Sequence, residues 1–544
     1  MATSILSIGQ SALAAAQVGI NTTGHNIANA ATPGFNRQVV IQGAAMPQNF
    51  GFGFLGQGTE VATVKRIYSE FLGTQARSAQ TTSSGLDSYY SQIRQIDNML
   101  ADPVAGLSPA LQNFFSGVQD MATNPASIPA RQAALSAGES LAGRFQSLAG
   151  RLDEIDQGIN SQIGSSVSVI NAYAKQLAQL NDAIGRAMRS SGQPPNDLLD
   201  QRDLLVHDLN KEIKATVVKQ GDGDYNVFIG SGHPLVVGVK ASTLAVVTSP
   251  TDSQRLEVAY QSSTGSFILG DSSLSGGKLG GLMDFRAKTL EPAQNALGRV
   301  AIGLASSFNE QHKLGFDLNG VAGGDFFTVA APSVKAHSGN AGTAGVTASI
   351  TAPGALTTSD YTLKFDGANY SLTRLSDNTV FTPIMFPQTI DGVELNLTAG
   401  TSVAGDIYLI RPTAHGASRF GMAISDPRLI AAAAAPGAVG DNRNALLLGA
   451  LQTGLTMNGG TTTFQGAYSQ LVSEVGNKTR ELEVTSSTAG KLLAEATLSL
   501  QSESGVNLDE EATNLLRYQQ AYQAAAKVMQ IASEMFDLLA SLGR

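Results

Sequence analysis

Large apolar residues recur every seven positions at the start of the chain. Small residues stand three positions after them, in the order Leu6, Gly9, Leu13, Ala16, Ile20, Thr23, Ile27 and Ala30. Residues three and seven positions apart lie on one side of an α-helix, so the pattern predicts an amphipathic helical segment within residues 1–36. The small residues indicate that another helix approaches it closely.

The segment at about residues 508–542 has the same period in a stronger form. Burying a Leu, Ile or Phe gains roughly 1.5–3 kcal/mol over exposure to water, so both stripes need partners. Two interpretations stay open: the two terminal helices pack together within one subunit, or many copies pack side by side. The predicted subunit-packing residues are Leu6, Leu13, Ile20, Ile27, Leu515, Tyr522, Met529, Phe536 and Leu539.

Between the two ends the hydrophobic period changes several times between 3.6 and 2. These changes predict an α+β multidomain fold, with a long terminal and core helical bundle and two inserted β-rich domains. The predicted division is a terminal helix with its connecting segment (1–66), a helical core in three parts (67–213, 278–327 and 426–505), two β insertions (214–277 and 328–425) and a C-terminal helix (506–544).

Composition narrows the function. A chain of 544 residues predicts several domains. Its net charge of −9, without any basic run, argues against a nucleic-acid surface. The sequence has no cysteine and no apolar run of the length that a membrane span requires. We therefore expect neither nucleic acid nor membrane as a partner.

No residue pattern predicts catalysis, a metal site or a cofactor. The six histidines lack metal-ligand spacing, and Gly276-Gly277-Lys278 lacks the other residues of a phosphate-binding loop. Asp317-Leu-Asn319-Gly320 is better explained as a turn than as a calcium loop. The clustered carboxylates are expected to form helix caps and ion pairs with the nearby Arg202 and Arg517; they are Asp200, Asp203, Asp509, Glu510 and Glu511. We expect no enzyme.

One motif follows the first helix directly. It runs from His25 to Phe35 and includes Asn26, Asn29, Thr32, Pro33, Gly34 and Phe35. The motif resembles that of the bacterial flagellar axial proteins. Segments 195–203, 441–444 and 504–511 resemble more specifically the hook-associated protein 1 family, the first proteins of the hook–filament junction. This resemblance covers nearly the full length and is weakest in the second β insertion.

The resemblance implies a structural subunit that joins the flagellar hook to the filament as a mechanical adaptor. Its implied partners are copies of itself, the hook protein, the second hook–filament junction protein and an export chaperone that binds the C-terminal helix. It further implies type III export to an extracellular position in the flagellum. Two alternatives remain: another hook or rod protein, or an adhesin-like role of the outer β domains, whose aromatic residues Tyr361, Tyr370 and Phe381 are more typical of a core.

Overall fold

The computed structural model describes residues 2–49, 51, 53–221, 223–262 and 265–542. Helix α1 (Ala2–Asn29) is followed by a turn in which Gly34 has a φ of 78°. Such a φ is readily adopted by glycine, and Pro33 disfavours helical structure at Thr32. The chain then forms a long hairpin, Gln38–Arg66, which we call the arm; its strands are β1 (Gln38–Ala44), β2 (Gln48–Asn49), β3 (Phe54–Leu55) and β4 (Thr59–Arg66).

Four long helices come next and form the frame of the helical core. Ser69 and Ser127 cap two of them, because each side chain accepts a hydrogen bond from a backbone N–H of the first turn. Gly192 ends the longest helix in the left-handed conformation. That helix has 64 residues and is therefore about 96 Å long. The helices are α2 (Glu70–Leu100), α3 (Leu107–Thr123), α4 (Ile128–Ser191) and α5 (Asn196–Glu212).

The first β insertion forms two antiparallel sheets, in the orders β5-β6-β7-β8 and β11-β10-β9. It docks on α4 through Asn171, which exchanges hydrogen bonds of 2.8 Å with the backbone N–H and C=O of Leu244. The predicted turn at 222–224 includes Asp222, which lies outside the described residues. The strands are β5 (Ala215–Lys219), β6 (Tyr225–Ile229), β7 (His233–Val237), β8 (Lys240–Ala241), β9 (Thr243–Thr248), β10 (Leu256–Ser262) and β11 (Gly265–Ile268).

The chain then returns to the helical core through α6 (Gly277–Phe285), a π-helical turn (Arg286–Leu290) and α7 (Glu291–His312). Buried residues lie on every side of α7, which runs through the middle of the core. The turn expected at Asp317 is present, since its Oδ1 accepts hydrogen bonds of 2.8 Å from the backbone N–H groups of Asn319 and Val321. Among the described residues no group of acidic and histidine side chains is arranged to hold a metal ion.

The second β insertion has its own core between a five-stranded sheet, β13-β20-β15-β16-β17, and a three-stranded sheet, β14-β19-β18. Tyr361 and Tyr370 lie in this core and are buried, whereas Phe381 is half-buried. The strands are β12 (Phe327–Thr328), β13 (Ser333–Ala336), β14 (Val346–Ile350), β15 (Tyr361–Phe365), β16 (Tyr370–Arg374), β17 (Val380–Ile384), β18 (Gln388–Ile390), β19 (Val393–Leu397), β20 (Ile407–Arg411) and β21 (Gly421–Met422), which pairs with β12.

Helices α8 (Arg443–Ala450), α9 (Phe464–Ser504) and α10 (Leu508–Leu542) complete the chain. Turns and irregular structure at residues 451–463 separate α8 from α9. Tyr468 of α9 donates a 2.8 Å hydrogen bond to the carbonyl of Leu100, the last residue of α2. The predicted α+β fold class is confirmed, whereas the exact domain limits stay a prediction. No described helix combines the length and apolar character needed to cross a membrane.

Candidate functional site

Helices α1 and α10 pack against each other in antiparallel orientation, and we call this pair the terminal hairpin. Gly9 faces Met529, and a Cβ atom added to this glycine would lie 2.9 Å from the methionine sulfur. Ten residues further along α1, a Cβ at Gly19 would lie 2.5 Å from the ring of Tyr518. Glycine at these two positions therefore lets the helices approach closely while large side chains of α10 lie over the backbone of α1.

Small residues fill the seam of the terminal hairpin. Ala16, Thr23, Ala525 and Ala532 are each at most 5% exposed. The two open interpretations thus receive a partial answer, since the terminal helices do pack together within one subunit. On α1 the column that meets α10 is the small one, because small side chains allow two helix axes to come closer than large ones do.

Most of the predicted subunit-packing residues flank this seam and are incompletely covered, whereas Met529 lies over Gly9 within it. Leu6, Ile27 and Tyr522 are each 37% exposed, and Phe536 is 54% exposed. The side chain of Leu539 lies outside the described residues. The role of these residues between copies stays a prediction. The remaining four are half-buried: Leu13, Ile20, Leu515 and Met529.

The family motif makes the turn that connects α1 to the arm. Asn29 Nδ2 donates to the carbonyl of His25 at 3.0 Å, and Thr32 donates to Asn29 Oδ1 at 3.1 Å. The ring of Phe35 lies edge-on to the His25 ring, with centroids 5.3 Å apart. Pro33 is exposed, and Gly34 packs against Leu204 of α5. The motif therefore terminates the helix and directs the chain toward α5.

At the base of the terminal hairpin, polar residues from four parts of the chain form a buried network that we call the joint. Asn26 is 1% exposed. Its Oδ1 accepts from the N–H of Gln38 at 3.0 Å, and its Nδ2 donates to the Gln38 carbonyl at 2.8 Å. The same Nδ2 donates to Glu511 Oε2 at 3.0 Å. One asparagine thus connects α1, the arm and α10.

Arg37 contacts both helices that flank the short connection between α9 and α10. Its backbone N–H donates to the carbonyl of Ser504 at 2.8 Å. Its guanidinium pairs with Glu511 at 2.8 Å and Glu510 at 2.7 Å. Glu511 is only 2% exposed, so its carboxylate relies on protein partners in place of water. Arg37 therefore contacts the end of one helix and the start of the next.

Arg66 connects the arm to α5 on the other side of the joint. It pairs with Asp200 at 2.7 Å and with Asp203 at 2.6 Å. Burial lowers the pKa of Arg66, but the neighbouring charges of Asp203 and Asp200 outweigh burial and raise it. Burial raises the pKa of Asp200, against the hydrogen bonds that it accepts from Asn36 and Arg66. Arg66 therefore stays charged, with its two partners held around it.

The joint corrects one expectation from the sequence. Asp200 and Asp203 pair with Arg66, and Glu510 and Glu511 pair with Arg37. These arginines are distant in sequence and replace the expected Arg202 and Arg517. Asn196 is the first residue of α5, and its side chain donates to the Val64 carbonyl at 2.7 Å. Arg37 was nevertheless visible as the first charged residue of the chain.

Segment 441–444 lies apart from the joint, in the helical core. Asn444 Nδ2 donates to the Ala431 carbonyl at 2.6 Å, and Asn442 Nδ2 donates to the Ala122 carbonyl at 2.7 Å. His312 lies next to this region and is fully buried. Burial lowers its pKa, and its ring nitrogens contact the Gly324 carbonyl and the Ala431 N–H. These contacts satisfy the ring without a metal.

Family models of flagellar proteins match four parts of the chain. The flagellar hook-associated protein FlgK helical domain matches residues 93–327, and the flagellar hook-associated protein 1 D2-like domain matches residues 335–412. The flagella basal body rod protein model matches residues 6–36, and the flagellar basal body rod FlgEFG protein C-terminal model matches residues 500–542. The last two matches cover most of the terminal hairpin and, of the joint, Asn26, Glu510 and Glu511.

Flagellar hook-associated protein 1 of Escherichia coli (strain K12) is 39% identical over 547 residues, which cover 99% of this chain and 100% of that protein. The chain belongs to the hook-associated protein 1 family. The family member of Salmonella typhimurium (strain LT2) is also 39% identical, over 99% of this chain and 100% of its own.

A solved structure supports the same assignment. The flagellar hook junction protein FlgK from Burkholderia pseudomallei is 32% identical, with a TM-score of 0.74, over 79% of this chain and 100% of that structure. The prediction of a structural protein of the hook–filament junction is thereby confirmed, and the protein is a component of the flagellum. Its relatives in the hook-associated protein 1 family are structural flagellar proteins.

Proposed function

We propose that copies of this protein pack their terminal hairpins side by side into an inner tube and join the hook to the filament as a mechanical adaptor. One observation carries this proposal: α1 and α10 bury their small residues against each other and leave large apolar residues uncovered. The uncovered residues include members of the predicted subunit-packing set, such as Leu6 and Phe536. Neighbouring copies offer the same residues in return.

The energetics favour assembly over the separate chain. Full burial of one such side chain contributes about 1.5–3 kcal/mol, and covering the exposed part of a half-covered one contributes about 1 kcal/mol. Each gain is modest, but it recurs in every copy. Helices that lack tertiary packing are marginal in water, so the terminal hairpin gains order as well as contacts when copies assemble.

The joint suits an adaptor that carries force. It connects the terminal hairpin to the helical core through Arg37 and Arg66. The pairs of Arg37 with Glu511 and of Arg66 with Asp200 are largely shielded from water. Breaking a buried pair is far more costly than breaking an exposed one. Bending applied to the tube is therefore transmitted to α5 and the outer domains through a stiff connection.

The partners follow from the position in the flagellum. We assign the hook protein to one side of the assembled ring and the second junction protein to the other. Before assembly, an export chaperone covers the apolar face of α10. Binding of an amphipathic helix in a hydrophobic groove of a partner is a common recognition mode. Passage through the type III channel to the cell exterior suits a chain without cysteine, because an unfolded chain that has no thiols cannot form disulfide cross-links in transit.

Charged substitutions in the uncovered columns test this function. We expect Leu515→Asp and Phe536→Asp each to abolish swimming and the attachment of filaments to hooks. The urea unfolding of the helical core should stay as in the unchanged protein. Val104→Asp is the control, because Val104 is 80% exposed in the loop after α2. Normal filaments on cells that carry Phe536→Asp would overturn the proposal.

A further inference from the structure

The tip of the arm carries apolar side chains that its own chain does not cover. Met46 is 89% exposed, Phe54 73% and Leu55 41%. No residue from 38 to 59 is charged, so a partner can bury this surface without the cost of desolvating a charge. Large exposed apolar side chains grouped on one short hairpin favour an interaction site.

A second uncovered surface lies on α10, on a different side from the seam. Its residues follow one another at spacings of three and four, which places them on one helix face. With 3.6 residues per turn, this face lies roughly a quarter of a turn from the buried Ala525 and Ala532. We call it the outer stripe; its members are Val528, Ile531, Met535 and Leu538, with exposures of 40%, 47%, 45% and 64%.

The arm tip and the outer stripe begin at the same height along the terminal hairpin. The N–H of Thr59, the first residue of β4, donates to Ser11 Oγ at 3.3 Å. The paired part of β1 and β4 therefore ends beside this part of α1, and the tip of the arm begins there. Gly9, close to Ser11, faces Met529 of α10. Met529 directly follows the first residue of the outer stripe. When neighbouring copies are related by a rotation about an axis parallel to the helices, the arm tip of one copy therefore lies at the height of the outer stripe of the next.

We propose that the arm tip of one copy docks on the outer stripe of the next copy. This inference rests on the proposed function and names the surfaces through which neighbouring copies meet. The two surfaces differ, so the contact is heterologous and repeats around a ring or along a helical array. It gives the arm a role as a clasp between copies, in addition to its place in the joint.

Cross-linking within assembled flagella tests the docking directly. The full-length chain carries the photoreactive amino acid p-benzoylphenylalanine in place of Phe54, which keeps an aromatic ring at the tip. Irradiation is expected to yield covalent dimers and larger multimers in which the arm is joined to residues 524–542 of another copy. A product joined within one chain, or joined to a different flagellar protein, would overturn the inference.

Substitutions separate this inference from the proposed function. In the chain that carries p-benzoylphenylalanine at position 54, Ile531→Ser is expected to reduce multimers at least tenfold. In the otherwise unchanged chain, Phe54→Ser is expected to shrink the swimming halo. Phe71→Ser is the matched control, because Phe71 is 76% exposed on α2. If Phe536→Asp blocks assembly while Phe54→Ser and Ile531→Ser both swim normally, the docking is wrong and the proposed function stands. If Phe536→Asp assembles normally, the proposed function itself fails.

Discussion

Helices α7 and α10 differ in how much of their surface their own chain covers. Along the 22 residues of α7, buried residues lie on all sides and include Asn309 and His312. Along the 35 residues of α10, the buried positions among the described side chains are Glu511, Ala525 and Ala532. The surface of α7 is covered by its own chain, whereas α10 has an apolar surface that other chains can cover.

Polar residues show the same difference. Asn309 of α7 lies in the core, where its Oδ1 accepts from the N–H groups of Phe326 and Phe327 at 2.8 and 2.9 Å. Its Nδ2 donates to the Phe327 carbonyl at 2.7 Å. Buried polar groups are tolerated where partners satisfy them in this way. On α10 the buried polar residue is Glu511, and it lies in the joint, where the helix meets the rest of the fold.

The largest effect is expected inside α7. A Cβ atom at Gly298 would lie 1.8 Å from the carbonyl oxygen of Thr413, and backbone cannot rotate away as a side chain does. Gly298→Ala is therefore expected to lower the free energy of unfolding of the helical core by about 3 kcal/mol. Urea unfolding followed by circular dichroism measures this loss.

Gly24 in α1 supplies the control for that substitution. A Cβ at Gly24 meets no atom within 4 Å, and alanine favours helix over glycine by up to about 1 kcal/mol. Gly24→Ala should therefore leave the core transition unchanged. Equal unfolding midpoints for Gly298→Ala and the unchanged protein would contradict the picture of a fully packed α7.

A smaller effect is expected at the joint. Arg37→Ala leaves the buried carboxylate of Glu511 without its cation, at a local cost of about 2 kcal/mol. We expect faster hydrogen exchange in the first turns of α10 and weaker swimming, with an unchanged core transition. Adding Glu511→Gln removes the unpaired charge and should restore part of the protection. Arg517→Ala, at an exposed position of the same helix, is the control; an equal effect there would refute a special role of Arg37.

The smallest effect is expected in the seam. Gly19→Ala places a methyl group against the ring of Tyr518, which is a side chain and is able to turn aside. We expect a cost of about 1 kcal/mol, confined to the terminal hairpin. Hydrogen exchange of α1 in the monomer measures it, with Gly24→Ala as control. Adding Tyr518→Ala should remove the clash, and a double variant no better protected than Gly19→Ala would argue against the packing described here.

The sequence predicted the type of most elements correctly, since helical and strand periods are local properties. It predicted that both termini seek helical partners and that another helix approaches α1 closely, but it left open whether that helix belongs to the same subunit. The heptad pattern places Leu13 and Ala16 on the same side of α1, and it does not say which of the two faces the partner. Close packing of α1 on α10 selects the small column, because Gly9 and Gly19 allow the axes to approach.

The ion pairs of the joint could not be predicted from the sequence, for a different reason. The carboxylates of Asp200 and Glu511 were recognised, but the sequence offers nearby arginines as partners for both. Their actual partners, Arg66 and Arg37, are more than 130 and 470 positions away along the chain. Such pairs form only when folding brings the arm between α5 and α10.

The sequence by itself determined the helices, the two β insertions and, through the motif from His25 to Phe35, the flagellar family. These depend on hydrophobic period, turn residues and short signatures, all of which act over a few neighbouring positions. The tertiary structure decided which columns of the terminal helices are buried, which ions pair in the joint and which surfaces of α10 and the arm stay uncovered. Burial and charge pairing depend on groups that are distant in sequence, and only the folded chain brings those groups together.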